Sequence, residues 1–425
     1  MAGIKWSKKE WKYVLDRIKN GDHPSAIISD LNAKFKNKRT RVALEVRLSK
    51  LGISYQPIVE DTPIEDSVTQ VREKRDAQFW RKRYSDAVKQ LADEQEIIEQ
   101  IAKHAEALPP AQPPKKVAVT KGISKEELVM LISDSHAGEV VHPKQLSGIN
   151  EYNFDIACHR WQQYVNTTID IAIGKMKGYY FSKLHALFLG DMVSGIIHEE
   201  LLRAAPGNIM EWTVNYAHVL AQGIRELAQY FDEIEVVGII GNHGRTEKKP
   251  SFKDKYVNYD YFLYLFVKAF LSLQKNVTCS VPMSFYASHE ICGHQCLLLH
   301  GDNIKSYQGV PWYGINRAVD QFYALLNSSG NQIKYVFLGH FHTDGTLLKP
   351  YGRIFLNGSI KGTDEYSVGR MFTGSNPTQT LLSFHPKRHT FSFPIDLSGD
   401  YTFKHPYKYS SSNEADVLEE IRRQT

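Results

Sequence analysis

The sequence has little cysteine and no long apolar run. Only four of its 425 residues are cysteine, and their positions, Cys158, Cys279, Cys292 and Cys296, form no regular framework. We therefore expect no disulfide scaffold and a reducing, cytoplasmic setting. No apolar run approaches the roughly 18 residues that a membrane span needs, and the first residues do not resemble a signal peptide. A membrane partner is not expected.

What the sequence does contain is an Asp, Asn or His after each of five strand-like apolar runs. The five segments are Asp134-Ser135-His136, Gly190-Asp191, Gly241-Asn242-His243, His300-Gly301 and Gly339-His340-Phe341-His342. Because the carboxyl ends of strands in an open α/β sheet meet at one edge, these side chains are expected to converge there. Each segment alone would be an ordinary turn or helix cap, but the ordered set predicts a site.

The donor types in these segments indicate a metal centre. Imidazole and carboxylate together suit Mn, Fe, Zn or Ni, whereas an all-oxygen set would suit Mg or Ca. Two metals about 3.5–4 Å apart need a bridging carboxylate, and Asp191 is the natural candidate. Such a pair lowers the pKa of a bridging water, and a remaining His can protonate the leaving oxygen. The predicted chemistry is phosphoester hydrolysis by direct attack of a metal-bound hydroxide.

In this order the segments resemble the motif set of the calcineurin-like metallophosphoesterase superfamily, over about residues 126 to 400. The resemblance implies two divalent ions, Mn²⁺ foremost, with Fe²⁺, Zn²⁺ or Ni²⁺ as alternatives. It implies one metal held by Asp134, His136, Asp191 and His342. It implies a second held by Asp191, Asn242, His300 and His340. By the same resemblance, His243 is the general acid or transition-state stabiliser, acting beside Asp191 and Asn242.

Two positions depart from that pattern. Many members continue the second motif as GDxxD, but Ser194 and Gly195 stand here, and Gly244-Arg245 follows the third motif in place of an acidic residue. Arg245 is a candidate substrate-binding residue because its planar fork suits a phosphate, although a solvated surface Arg is the alternative. His198 could line the same cleft, or it could begin an exposed helix.

The N-terminal residues 1–52 carry the positive charge of the chain. They contain 13 Lys and Arg against five Asp and Glu, a net of +8, whereas the whole chain is +5. This asymmetry points to a polyanionic partner. Ser7 and Glu10 predict a capping box, Pro24 opens a second helix, and Leu44, Leu48 and Leu51 share one face of a third.

This three-helix pattern resembles a Myb/SANT-like helix-turn-helix over about fifty residues. The resemblance implies DNA contact by the third helix and the turn before it. The candidate DNA-binding residues are Lys38, Arg39, Arg41, Arg47 and Lys50. The alternative is a small module that docks a protein.

Four regions are predicted along the chain: the module 1–52, a connector 53–125, a catalytic domain 126–405 and a tail 406–425. In the connector, a long charged helix over 62–108 has an apolar stripe that could be a homodimer seam or could pack on the catalytic domain. Pro-rich residues 109–114 predict a stiff linker.

Strands alternating with helices predict an α/β catalytic domain. The expected helices are Asp155–Ile173, Gly207–Tyr230 and Asn258–Leu273, and strands from Val277 onward suggest a second sheet. The predicted fold is a two-sheet sandwich flanked by helices, preceded by a small three-helix domain and a long helix.

The leading functional hypothesis is a DNA nuclease, similar in motif set to the exonuclease subunit of SbcCD-type repair complexes. The small accessory modules suggest a virus- or mobile-element-encoded enzyme. The alternative is a phosphatase for phosphoprotein or nucleotide, with a protein-docking N-terminal module. A third hypothesis, an inactive DNA-binding scaffold, is disfavoured by the complete ligand set and by His243.

Overall fold

The computed structural model describes a chain that divides into two compact units, residues 1–97 and 98–425. The described residues are 6–36, 38–53, 107–113, 123–195, 209–247, 253, 255–304, 309–328, 330, 332–371, 374–399 and 402–409. The predicted helix over 62–108, with its proposed dimer seam, lies almost entirely outside the described residues, as does His198.

The first unit contains three short helices around a small core. They are α1 (Lys8–Lys19), α2 (Pro24–Phe35) and α3 (Arg41–Lys50). The predicted capping box is confirmed, because Ser7 Oγ accepts from the backbone of Glu10 and the Glu10 carboxylate accepts from the backbone of Ser7. The fully or nearly fully buried core residues are Val14, Ile27, Ile28, Leu31, Leu44 and Leu48.

One predicted core position of this unit is not buried. Leu51 follows the last residue of α3 as its C-cap and is 47% exposed. Gly52 then takes a positive φ of 64°, which reverses the chain and brings Ile53 against the core in its place. The helix therefore ends too early for Leu51 to continue the face of Leu44 and Leu48.

The second unit is built on a sheet in which six strands are described, in the order β11-β10-β1-β2-β3-β4. The parallel strands are β1 (Ser124–Ile132), β2 (Tyr179–Phe188), β3 (Glu233–Gly238) and β4 (Val277–Ser280). The antiparallel edge is formed by β10 (Thr378–His385) and β11 (Arg388–Asp396). The predicted helices connect the parallel strands: α4 (Phe154–Ile169), α5 (Ile209–Leu227) and α6 (Tyr259–Phe270).

A second sheet of five described strands has the order β5-β6-β7-β9-β8. Its strands are β5 (Tyr286–Ile291), β6 (His294–Leu299), β7 (Ile333–Leu338), β8 (Gly345–Lys349) and β9 (Gly352–Leu356). Strands β6, β7 and β9 are parallel, and the two edge strands are antiparallel to their neighbours. Helix α7 (Trp312–Asn327) connects β6 to β7.

The two sheets are stacked between helices. Alternate side chains of β1 point to opposite faces of the first sheet. Leu128 and Met130 pack with the side chains of α4 and α5, whereas Val129 and Leu131 face the second sheet. Helix α7 covers the far face of that second sheet through residues that include Ile315. Burial on both faces explains why the strands are nearly continuous apolar runs. The predicted α/β two-sheet sandwich is confirmed.

Two details of this sandwich differ from the sequence prediction. The stretch from Val277 to Ala287 is not one strand of the second sheet, since β4 pairs with β3 in the first sheet and a break at Pro282 precedes β5. Helix α7 was not predicted, although Ile315, Val319 and Leu326 recur at helical spacing and are buried.

Residues of the predicted linker and tail pack on the second unit. The backbone N–H of Leu108 donates to Phe270 O (2.9 Å), and Gln274 donates to the carbonyls of Leu108 and Pro109. Near the C-terminus, Tyr407 OH donates to Glu226 Oε2 at 2.6 Å. These segments are therefore anchored where they are described. No described helix is both long enough and apolar enough to cross a bilayer.

Candidate metal centre

The carboxyl ends of the central strands bring the predicted ligands together at one edge. Asp134 and Asp191 follow β1 and β2, and Asn242 follows β3 in the first sheet. The second sheet supplies His300 after β6 and His340 after β7. Four groups of metal-ligating side chains lie within the described residues, and three of them are at this edge.

The backbone at this edge is held in an unfavourable conformation. Five of the predicted ligands have left-handed φ values between 49° and 70°, namely Asp134, His136, Asp191, His340 and His342. Each such non-glycine residue costs on the order of 1–3 kcal/mol, and such strain persists where the surrounding structure enforces it. A Cβ on Gly190 would lie 2.5 Å from the Gly241 amide nitrogen, so the close approach of these two loops requires glycine.

One group of ligands consists of Asp134, His136 and His342. The two imidazole Nε2 atoms are 3.1 Å apart, and Asp134 Oδ1 lies 3.4 Å from His342 Nε2 and 4.0 Å from His136 Nε2. Asp134 and His136 are buried, whereas the side chain of His342 is 23% exposed. A cation among these three atoms would therefore be open to solvent on the His342 side.

The adjacent group consists of Asp191, His300 and His340. His300 Nε2 is 3.0 Å from Asp191 Oδ2 and 3.1 Å from Asn242 Oδ1, so the amide oxygen of Asn242 faces the same position. Asp191 also belongs to a group with His136, and thus stands between the two positions. One carboxylate at this position is within reach of both ligand groups.

Hydrogen bonds on the outer nitrogens fix the tautomers of two ligand rings. His300 Nδ1 donates to the Leu189 carbonyl at 2.7 Å, which leaves the Nε2 lone pair directed into the site. His136 Nδ1 is 3.2 Å from Ser194 Oγ, and that hydroxyl donates to Glu139 at 2.7 Å, so the ring donates to Ser194. Inward lone pairs beside buried carboxylates fit divalent metal ions.

The electrostatics of the site agree with that fit. Burial raises the pKa of Asp191, but the charges of His300 and His243 outweigh it and hold the pKa well below its usual range. Burial lowers the pKa of His136 well below its usual value and lowers that of His340 to about 4. Burial lowers the pKa of His300, but the charge of Asp191 outweighs it and raises the pKa to about 10, so a metal ion bound there would take the place of this proton.

A buried carboxylate that the sequence analysis missed joins the second and third motifs. Asp260 accepts hydrogen bonds from the backbone N–H groups of Asp191 (2.8 Å), Met192 (2.9 Å) and Gly241 (2.8 Å). Burial raises its pKa to about 7. Asp260 lies in the first turn of α6, where acidic residues are common, so nothing in the local sequence distinguishes it.

A second group that the sequence analysis did not predict is a buried cluster of charged side chains behind the first motif. Lys361 donates to Glu139 at 2.9 Å and to Asp364, and all three side chains are less than a tenth exposed. Because Glu139 also accepts from Ser194, a continuous chain of hydrogen bonds runs from this buried cluster to the His136 ring. The spacing of these residues in the sequence gave no sign of it.

His243 stands beside both ligand groups. Its backbone N–H donates to Asp191 Oδ1 at 2.7 Å, and its ring meets the His136 ring edge-on with centroids 4.5 Å apart. A nitrogen of this ring also lies within 4.8 Å of the ligand atoms of His136 and Asp191. Nearby, Arg245 Nε is buried without a hydrogen-bond partner among the described residues.

Of the candidate DNA-binding residues, Lys38, Arg41, Arg47 and Lys50 are exposed. The exception is Arg39, which is held inside the module: it pairs with Glu10 at 3.2 Å, and its guanidinium lies 4.5 Å from the Trp6 ring centroid. The structure thus corrects its assignment as a DNA contact.

The first unit also has a surface groove that was not predicted from the sequence and that is lined by further basic residues. Its lining includes Trp6 and Trp11 with the basic residues Lys8, Lys12, Lys19 and Arg47.

Neither a protein-family model nor a curated protein matches this chain. Among solved structures, similar folds include a predicted phosphoesterase from Streptococcus pneumoniae TIGR4, 11% identical, with a TM-score of 0.26 over 66% of this chain and 99% of that one. Wild-type Vps29 complexed with Zn²⁺ from Entamoeba histolytica is 12% identical, with a TM-score of 0.28 over 64% and 99%. A novel archaeal phosphodiesterase is 11% identical, with a TM-score of 0.28 over 63% and 99%.

Proposed function

We propose that this chain is a two-metal-dependent phosphodiesterase that cleaves DNA. The observation that carries the proposal is the pair of adjacent ligand groups, Asp134-His136-His342 and Asp191-His300-His340, with Asp191 between them. Two divalent ions bound there would lower the pKa of coordinated water and offset charge on a phosphoryl oxygen. Mn²⁺ is the first choice, because the mixed imidazole and carboxylate donors suit it.

The residues of the chain itself would position the substrate and move a proton. His243 has a part-exposed ring beside both ligand groups, so it can donate a proton to the leaving oxygen. Arg245 lies in the same loop, and its buried Nε has no hydrogen-bond partner among the described residues. A phosphate oxygen of the substrate could accept a hydrogen bond from this guanidinium. Asp260 and Ser194 hold the ligand loops and rings in place.

DNA is proposed as the substrate because of the charge of the first unit. The +8 net charge of residues 1–52 is presented by exposed residues of α3 that include Arg47 and Lys50, and by the lysines of the groove on α1. Basic side chains at these positions could neutralise several phosphates, which supplies most sequence-independent affinity for DNA.

A phosphomonoesterase with a protein-docking module is the second candidate. One observation favours it: Val42 and Val46, one helical turn apart on α3, are 66% and 50% exposed. Two such aliphatic side chains can anchor a protein groove, although valine can also contact a thymine methyl group. The substrate assay has to separate the two candidates.

The test is hydrolysis, with Mn²⁺ added, of labelled linear and circular DNA and of an aryl phosphate monoester. Wild type is compared with Asp191→Asn and with His159→Ala, which removes an exposed histidine of α4. The proposal expects DNA cleavage by wild type and His159→Ala and none by Asp191→Asn. Cleavage of linear but not circular DNA would indicate an exonuclease. Monoester turnover with intact DNA would refute the nuclease proposal and support the phosphatase.

A further inference from the structure

A second cluster of ligand side chains lies between the two sheets and shares no residue with the metal centre described above. It consists of His185 on β2, Glu235 on β3 and His289 on β5. His185 and Glu235 are direct neighbours across the parallel strands, whereas β5 is an edge strand of the other sheet. His185 lies three residues before the end of β2, on the order of 10 Å along the strand from the edge where Asp191 stands.

The separations of the three donor atoms are those expected around a small cation. His185 Nδ1 is 3.3 Å from Glu235 Oε2, and His289 Nε2 is 3.4 Å from the same oxygen. Tetrahedral zinc with bonds of about 2.0–2.1 Å places its ligands roughly 3.3–3.4 Å apart. The remaining pair, His185 Nδ1 and His289 Nε2, is 2.8 Å apart. A small outward movement of His289 would complete the triangle.

The surrounding hydrogen bonds prepare the donors for a metal. His185 Nε2 lies 2.9 Å from Glu127 Oε2, so the ring donates outward to a carboxylate, and its Nδ1 faces Glu235 and His289. This carboxylate–histidine contact is the usual support of a metal-bound imidazole. Glu127 also accepts from the Cys292 backbone at 2.6 Å, and Lys183 occupies the other oxygen of Glu235 at 2.7 Å.

The three side chains differ in solvent exposure, and the more exposed side of the cluster would allow a metal ion to enter. The His185 side chain is fully buried, whereas His289 and Glu235 are 14% and 25% exposed. Solvent can therefore reach one side and supply the fourth ligand.

We propose that His185, Glu235 and His289 bind one divalent transition metal, with Zn²⁺ as the ion that best suits two imidazoles and one carboxylate. The ion would fasten β2 and β3 of the first sheet to β5 of the second. This role is structural and does not depend on the proposed phosphodiesterase activity.

The experiment measures Zn²⁺ retained by the full-length chain. Protein stripped with EDTA is reloaded with Zn²⁺, passed through gel filtration in metal-free buffer and analysed by mass spectrometry for metal. His289→Gln should lose one equivalent relative to wild type, and should lose one again when added to Asp191→Asn. His159→Ala should retain the wild-type content, and DNA cleavage by His289→Gln should be unchanged. Equal retention by wild type and a folded His289→Gln, or loss of this ion during gel filtration, would refute the proposal.

A measurement on the wild type covers the case in which His289→Gln does not fold. Crystals grown with Zn²⁺ should give an anomalous difference peak at the zinc edge within the triangle of His185, Glu235 and His289. A crystal with zinc peaks at the Asp191 centre and none in this triangle would show a proton-bridged network instead of a metal site, and would overturn the inference.

Discussion

At the scale of single residues, replacing His243 should affect hydrolysis without affecting metal binding. Its ring lies beside both ligand groups, and its backbone N–H is hydrogen-bonded to Asp191 Oδ1. We predict that His243→Ala lowers the hydrolysis rate by about 100-fold or more, since a positioned general acid contributes about 10²–10⁴-fold. The metal content should stay at the wild-type level, measured on the same samples.

The proximity of the His243 ring to His136 and Asp191 makes the opposite result informative. If His243→Ala loses a metal equivalent, the ring is a ligand and its assignment as a proton donor fails. His159→Ala is the matched control, because it removes an imidazole from an exposed position and should change neither rate nor metal content.

The candidate ligands of the site could be predicted from the sequence, but the residues that hold them in place could not. Asp134, Asp191 and the histidines could be predicted because each follows a strand and carries a donor type that metals bind. Asp260 could not be predicted, because its partners lie 19 and 69 residues away and only the tertiary fold brings them to its carboxylate. The prediction of Arg39 as a DNA contact was wrong for the same reason, because its partner Glu10 lies 29 residues away in the sequence.

At the scale of elements, the loop after β9 is joined to the loop after β1 by the buried Lys361 cluster. Burial raises the pKa of Asp364, but the Lys361 charge outweighs it and holds the pKa below its ordinary value of 3.8. The ionised Asp364 therefore stabilises the fold above that pH, and the contribution is lost as the pH falls through the acid range.

We predict that Asp364→Asn lowers the free energy of unfolding by about 2 kcal/mol at pH 7, the size of one charge-assisted hydrogen bond. The difference from wild type should be constant above about pH 5 and should shrink as the pH falls below the ordinary carboxyl value. Urea unfolding followed from pH 7 to 3 measures it. A difference that does not change over this range would mean that the Asp364 charge contributes nothing.

Helices and strands could be predicted from the sequence where a single pattern of apolar residues was clear. Parallel strands buried on both faces read as apolar runs, and α4, α5 and α6 followed from helical spacing between them. The placement of β4 could not be read in the same way. Four residues from Val277 to Ser280 fit either sheet, and only pairing with β3 decides. Helix α7 was missed even though its apolar spacing was present.

At the scale of the whole molecule, charge and chemistry lie in different units of the chain. Residues 1–52 carry a net +8, so the remaining residues are net negative and gain little from long-range attraction to a polyanion. If the substrate is DNA, the first unit has to supply most of the salt-dependent affinity.

We predict that Arg47→Ala with Lys50→Ala weakens DNA binding and lowers the slope of log affinity against log salt by about 1.8, or roughly 0.9 for each phosphate that is no longer neutralised. The matched control is Lys387→Ala with Arg388→Ala, which removes the same charge from two exposed residues where β10 turns into β11 in the second unit. Fluorescence anisotropy with labelled duplex DNA at several salt concentrations measures both slopes. If both variants keep the wild-type slope, or both reduce it by the same amount, DNA binding is not localised on α3. The lysines of the groove on α1 would then be the remaining basic surface of the first unit to test in the same assay.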